Sequence, residues 1–390
     1  MAEHKMSHTR WTDALTAFFV MMTVLVGGWY LLVWFDPDLP LNPFPPPRAE
    51  MVQPALTPSV LEAVYDPSGP TPTFPPTWTP TVVSVATPTR WLTSIPRPTR
   101  RPTETPRPDP LLKYYIPGMI RRSYQGGQVS IHGTFGGTAE YTAYLIFYES
   151  EGLRISGMMN VPTGQGHFPV VILCHGYIHP DKYATGNDTW REAEYLAKNG
   201  YLTIAPDYRS HAASDNGASF YHIGYAQDIL NLIASLDTVE KADTRRVGLW
   251  GHSMGGAVAL KTAVVSRDVD AVAVFGSVSA DERINYIYGM GNGSVGWFGS
   301  PDTNGTGYKL ISPIYYLERS PPLSIHHGTG DSMVPYTWSE DLYKAAQRQG
   351  ATAELHLYPD AEHTFVGADW DLAMERTLAF YDEHVRGERQ

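Results

Sequence analysis

The segment Arg246-Val-Gly-Leu-Trp250-Gly251-His252-Ser253-Met254-Gly255-Gly256-Ala257 decides how this chain is read. The apolar run up to Trp250 has the length of a buried strand, and the small residues from Gly256 open a helix running to Val265. Between them stands the pentapeptide G-x-S-x-G, in which a serine sits on a strained strand-to-helix turn. Flanking glycines avoid clashes in such a turn, and the helix N-terminus faces the negative charge that develops there. The pentapeptide alone is common; its strand-turn-helix setting makes Ser253 the candidate nucleophile.

From there, similar apolar runs recur at Pro169–Cys174, Tyr201–Ala205 and Ala271–Phe275, and further strands read at Leu323–His327 and Ala353–Tyr358. Helical patterns lie between and after them at Thr189–Asn199, Ile223–Val239, Trp338–Gln349 and Asp369–Val385. Near-continuous apolar strands belong to a sheet covered on both faces, and their alternation with helices predicts an α/β fold with a doubly wound, mostly parallel sheet. Tyr141–Tyr148 and Leu153–Val161, joined by the polar turn Glu149–Gly152, read as a leading hairpin. Between Ser277 and Leu323 lie about 45 residues rich in Gly, Tyr and Trp, long for a plain connection. They read as a lid insertion over about 279–320, with Tyr286, Trp297 and Phe298 offered to an apolar or aromatic acyl group.

A serine hydroxyl needs a base to become a nucleophile near neutral pH, and the base needs a carboxylate to hold its tautomer. In this topology the order along the chain is Ser, then Asp or Glu, then His. Asp331, in Gly328-Thr-Gly-Asp331-Ser-Met-Val-Pro335, and His363, in Asp360-Ala-Glu-His363, follow the last two strands at the ends where such sheets build their sites. Asp360 and Glu362 are nearer to His363 in sequence, but adjacency does not place a carboxylate against an imidazole, so Asp331 is the expected acid. The oxyanion donors are expected to be the backbone N–H of Met254 and, from His175-Gly176-Tyr177, that of Tyr177. His326 and His327 read as strand-end packing and Cys174 as a small buried hydrophobe; no metal or other cofactor is expected.

The 390 residues are segregated: 21 of the 32 prolines fall between Asp36 and Pro110, which leaves the last 280 or so residues as the globular part. Residues 1–13 precede an uncharged stretch at 14–35, whose 22 residues make about 33 Å of helix, enough to span a bilayer. Lys5 and Arg10 precede it and Asp36 and Asp38 follow, so the N-terminus is expected in the cytoplasm and the rest outside. No small-x-small cleavage site follows, which favours a single-pass anchor over a removed signal. Residues 36–110 repeat Thr-Pro and Pro-Thr steps and read as a disordered, semi-rigid stalk; 111–390 carry the folded domain. The net charge of −11 excludes a nucleic-acid binder, and one cysteine excludes an internal disulfide framework.

With these residues in place, the region from about Tyr141 to Glu388 resembles the α/β-hydrolase superfamily, and within it the catalytic domains of the prolyl oligopeptidase or acylaminoacyl-peptidase family and related esterases. The marks are the Ser253 elbow, Pro206-Asp207-Tyr208-Arg209, Ser312-Pro313, and Asp331 with Val334-Pro335. The resemblance implies Ser253, Asp331 and His363 as the triad. Those peptidases carry a β-propeller before the hydrolase domain, whereas only about 30 residues separate Leu111 from the Tyr141 strand. The elbow form Gly-His-Ser-Met-Gly is shared by many lipases and esterases. The expectation is a membrane-anchored, extracytoplasmic serine hydrolase acting on small-molecule carboxylic esters. A serine peptidase acting on short peptides is the alternative, and an inactive binding module the third reading.

Overall fold

Alternate residues of the central strands feed two different cores, which is why those strands are apolar throughout. Val170, Ile172 and Cys174 face one core while Val171 and Leu173 face the other; Val272 and Val274 oppose Ala271, Ala273 and Phe275 in the same way. The computed structural model describes residues 111–290, 296 and 298–387; the expected N-terminal segment, span and stalk (1–13, 14–35 and 36–110) lie outside them. Among the described residues no helix is long and apolar enough to cross a membrane.

The strands are β1 (Ser130–Gly137), β2 (Tyr141–Ser150), β3 (Leu153–Pro162), β4 (Phe168–Cys174), β5 (Leu202–Pro206), β6 (Ala242–His252), β7 (Ala271–Phe275), β8 (Leu323–Gly328) and β9 (Ala353–Tyr358). They form one sheet in the order β1-β2-β3-β5-β4-β6-β7-β8-β9. The β1, β2, β3 and β5 pairings are antiparallel, and from β5 to β9 the sheet is parallel. The helices are α1 (Ile116–Arg121), α2 (Trp190–Lys198), α3 (Ile223–Ile233), α4 (Met254–Val265), α5 (Glu282–Ile287), α6 (Gly305–Ile311), α7 (Thr337–Arg348) and α8 (Gly367–Tyr381). Helices α2 and α8 share one core, and α1, α3, α4, α6 and α7 share the other. The result is the doubly wound, mostly parallel arrangement expected from the sequence.

Two details differ from the sequence reading. Strand β1 was not expected, because seven of its eight residues are exposed and no alternation marks it. The helix expected over Ile223–Val239 ends at Ile233. Past that point the Ser235 hydroxyl donates to the Asn231 carbonyl at 2.7 Å and accepts from Gly127 N–H, so the chain turns to meet the segment leading into β1.

All twelve residues of α4 are buried, so the helix behind Ser253 is clamped on every side. The Pro206–Arg209 segment is tied down by Arg209, whose guanidinium and backbone N–H both donate to the buried carboxylate of Asp228 on α3. Within the insertion at about 279–320, α5 is fastened to α4 by a fully buried ion pair between Lys261 and Glu282. Phe298 packs among Phe220, Tyr221 and Tyr308 at 2% exposure, so its ring belongs to the core and does not face an open cleft. Trp297 lies outside the described residues.

Candidate active site

Ser253 stands between the last residue of β6 and the first of α4, at φ 54° and ψ −119°. That conformation strains any residue with a side chain and persists only when its surroundings enforce it. They do: Ser253 N–H donates to the Phe275 carbonyl at 2.8 Å, and the Ser253 carbonyl accepts from Gly256 at 3.0 Å and Val278 at 3.2 Å. Gly255 is required by close approach, since a Cβ there would lie 1.9 Å from the carbonyl oxygen of Cys174. The elbow is thus wedged against the end of β4, with its serine half-buried.

His363, on the loop after β9, is 9% exposed. Its Nδ1 lies 2.7 Å from Oδ2 of Asp331, which stands on the loop after β8 with no exposed side-chain surface. The other carboxylate oxygen, Oδ1, accepts from the backbone N–H groups of Met333 at 2.9 Å and Val334 at 2.8 Å. Glu362 reaches Ser332 instead, and Asp360 occupies a turn in which its N–H donates to Thr329. Gly276 joins this pair to the elbow: it follows Phe275, the acceptor for Ser253 N–H, and a Cβ on it would lie 3.2 Å from His363 Nδ1 and 3.4 Å from Asp331 Oδ2.

A second imidazole reaches the same carboxylate. His327 Nε2 is 3.0 Å from Asp331 Oδ2 and 3.0 Å from the Val334 carbonyl, and its Nδ1 is 2.6 Å from Ser339 Oγ. Two acceptors at Nε2 require the proton there, which leaves Nδ1 to accept from the serine hydroxyl. Burial pushes the Asp331 carboxyl up, but the hydrogen bonds from His327, His363 and Val334 and the charge of His363 outweigh it and hold the group well below the usual carboxylate range. The strand-end packing expected of both histidines therefore describes His326 alone, which stacks on Phe275 and bonds Ser324 and Tyr358. His327 belongs to the site. Its signal in the sequence was its place four residues before Asp331 at the end of a strand.

The loop after β4 closes the remaining side. His175 is sandwiched between the rings of Tyr183 and Tyr208 at 4.3 and 4.2 Å, and burial lowers its pKa to about 4, so it is a neutral structural residue. A Cβ on Gly176 would lie 3.3 Å from the Ser253 Cβ, so this loop runs directly along the elbow. Tyr177, the next residue along this loop, is 66% exposed. Met254, as the first residue of α4, has no carbonyl a turn earlier to bond within the helix. The thiol of Cys174 is fully buried and pushed up to about 12 by desolvation, as an inert core residue.

Residues 187–388, just over half of the chain, match the model of the prolyl oligopeptidase family (peptidase S9). The chain belongs to the prolyl oligopeptidase family. The matched region takes in Ser253, Asp331 and His363, whereas Tyr177 lies before it. Among curated relatives, mouse (Mus musculus) dipeptidyl peptidase 8 is 27% identical over 252 residues, covering 59% of this chain and 27% of that protein. An uncharacterised 31.7 kDa protein of Escherichia coli is 28% identical over 152 residues, covering 35% of this chain and 50% of the other. The chain thus spans half or less of the length of these two relatives. Among solved structures, acetyl xylan esterase 1 from a Thermoanaerobacterium species has a TM-score of 0.53 at 19% identity, covering 70% of this chain and 94% of that one. The acylaminoacyl peptidase of Pyrococcus horikoshii has a TM-score of 0.51 at 18% identity, covering 69% and 52%. At these identities the family's peptidases and the esterase share the fold, and the likeness itself does not choose between amide and ester substrates.

Proposed function

We propose that this member of the prolyl oligopeptidase family is a membrane-anchored, extracytoplasmic serine hydrolase that cleaves carboxylic esters through an acyl-enzyme at Ser253. The observation that carries the reading is the His363–Asp331 pair at 2.7 Å, set beside a strained serine at the end of β6. His363 donates from Nδ1 to Asp331, so Nε2 carries the lone pair that takes the Ser253 proton as Oγ attacks the substrate carbonyl. The N–H groups of Met254 and Tyr177 stabilise the oxyanion. His363 returns its proton to the departing alkoxide, which leaves an ester on Ser253; water, activated by the same imidazole, then releases the acid and restores the hydroxyl.

Two considerations favour esters. An amide nitrogen must be protonated in a tightly aligned geometry before it leaves, whereas an alkoxide makes a weaker demand on His363. The insertion between β7 and β8 commits its aromatic residues Phe298 and Tyr308 to the core, so neither ring is offered to an extended peptide. The family itself and the dipeptidyl peptidase relative favour the peptidase reading. For short-chain and aromatic acyl groups, kcat/KM on p-nitrophenyl esters is expected to exceed that on the matching p-nitroanilides by at least about 100-fold, with unactivated alkyl esters also turned over. Equal or faster anilide turnover assigns the protein to the peptidases.

The anchor rests on the uncharged stretch 14–35 and on the basic residues before it. Full-length protein is expected to sediment with membranes, and protease added outside intact cells is expected to release an active fragment cut within residues 36–110. Full-length protein confined to the soluble cytosol refutes this topology.

A further inference from the structure

The residue before the nucleophile is itself chemically engaged. His252 Nδ1 lies 3.0 and 2.9 Å from the two carboxylate oxygens of Asp188, and His252 Nε2 lies 3.1 Å from the backbone carbonyl of His363. Both ring nitrogens therefore face acceptors. A neutral imidazole has one N–H and one lone pair, so it would turn a lone pair on one of them; the imidazolium satisfies both. Asp188 adopts φ 66° to present its carboxylate, a strained conformation for a residue with a side chain. Its Oδ2 also accepts from Gly176 N–H at 2.6 Å.

These contacts join three pieces of the site that are far apart in sequence. Gly176 precedes the oxyanion donor Tyr177, His252 precedes the nucleophile, and His363 is the base. Building on the hydrolase reading above, we propose that His252 is held as an imidazolium by Asp188 and acts as a positioning residue, so that one buried ion pair sets the oxyanion loop, the nucleophile elbow and the base in mutual register. Neither residue touches the reacting atoms.

The charges around the pair support the protonated form. Burial lowers the His252 pKa, but the hydrogen bond and charge of Asp188, the His363 carbonyl and the charge of Glu192 outweigh it and raise the group above its ordinary value. Burial likewise raises Asp188, and the His252 hydrogen bond and charge, with Gly176 N–H, bring it below its ordinary value. The other titratable groups nearby are His363, whose ring centroid lies 4.7 Å from that of His252, and His175, which faces Asp188; the Arg191 guanidinium is taken up by Glu192. A cavity of about 190 Å³, lined by His252, Asp188 and His363, gives solvent protons a route to the pair.

The sign follows. A raised histidine pKa means that the contribution of the pair is complete below the ordinary histidine pKa and is lost as pH rises through the folded-state pKa. The proton retained by the neutral ring stays toward Asp188, Nε2 turns a lone pair on the His363 carbonyl, and the base loop loses its tether. Catalysis is expected to fall on the alkaline side for this reason, a limb that a triad with a buried, ionised carboxylate does not itself supply.

The test uses the full-length protein, first establishing on one ester substrate that turnover requires Ser253. Profiles of kcat and KM against pH are then compared for the wild type, Asp188→Asn, His252→Gln and His252→Phe. In Asp188→Asn, kcat at pH 8 is expected to fall about 100-fold, as a displacement of about 1 Å produces, with KM changed less than about threefold and the alkaline limb moved to lower pH. His252→Phe is expected to lose as much at all pH values. His252→Gln, whose amide can still donate to the His363 carbonyl, is expected to recover at least about tenfold over His252→Phe and to lack the alkaline limb. Nitrogen-15 signals of labelled histidine, with that of His252 assigned from the glutamine variant, should show two protonated ring nitrogens at pH 7. A neutral His252 at pH 7, a wild-type alkaline limb in His252→Gln, or an unchanged Asp188→Asn overturns the proposal. If turnover does not depend on Ser253, the hydrolase reading fails instead, and the ion pair stands or falls on the nitrogen-15 signals alone.

Discussion

Replacing Ser253 by alanine is expected to lower kcat by about 10⁶ while leaving thermal unfolding within about 1 °C of the wild type, because triad members act as a unit and only a half-buried hydroxyl is lost. The backbone that holds the elbow is untouched: Ser253 N–H still meets the Phe275 carbonyl, and the Ser253 carbonyl still meets Gly256 and Val278. A companion variant separates chemistry from fold. Serine at φ 54° and ψ −119° occupies a region that glycine enters without a Cβ penalty, so Ser253→Gly should be as inactive as the alanine variant yet more stable, by up to about 1 kcal/mol. Steady-state kinetics on an ester and differential scanning calorimetry check both. An alanine variant retaining more than about 1% of wild-type turnover would sink the nucleophile assignment.

Asp331→Asn is expected to cost about 10⁴ in kcat, the loss seen when the acid of a triad becomes an amide, and here also some stability. The carboxylate accepts at both oxygens: Oδ1 from two backbone N–H groups, and Oδ2 from His363 and His327. An amide in either orientation turns its NH₂ on donors. With NH₂ toward the histidines, His363 can still accept, but through Nδ1, which moves its remaining proton to Nε2 and removes the lone pair that Ser253 needs. With NH₂ toward Met333 and Val334, two backbone N–H groups lose their acceptor, at up to about 1–3 kcal/mol for the part-buried Val334 N–H and less for the exposed Met333 N–H. The same carboxylate sets the pH dependence of stability on the acid side. Its pKa is lowered in the folded state, so its contribution is present above the ordinary carboxylate pKa and is lost as pH falls through the folded value. The asparagine variant should lack that acid-side loss. A nearly silent Asp331→Asn beside a crippled Asp360→Asn or Glu362→Gln would move the acid elsewhere.

Features that repeat locally or lie along one element are legible in the amino-acid sequence. Strands that are apolar at every position require a sheet covered on both faces, as Val170–Cys174 and Ala271–Phe275 show by feeding two cores with alternate residues. A serine between a buried strand and an all-small helix start requires a tight elbow, because no other residues tolerate the 1.9 Å approach at Gly255. Strand β1 escaped that reading, since an exposed strand carries no burial pattern, and so did the early end of α3, which depends on a hydroxyl meeting a segment a hundred residues away. Which side chains meet depends on the folded domain. Spacing along the chain could not say that His327 shares the Asp331 carboxylate with His363, or that Asp188, 64 residues before His252, meets its imidazole. A hydrogen bond needs its partners within about 3 Å in the right direction, and that distance is set by how loops from separate strands converge at one end of the sheet, information held by the packing of the whole domain and by no single stretch of it.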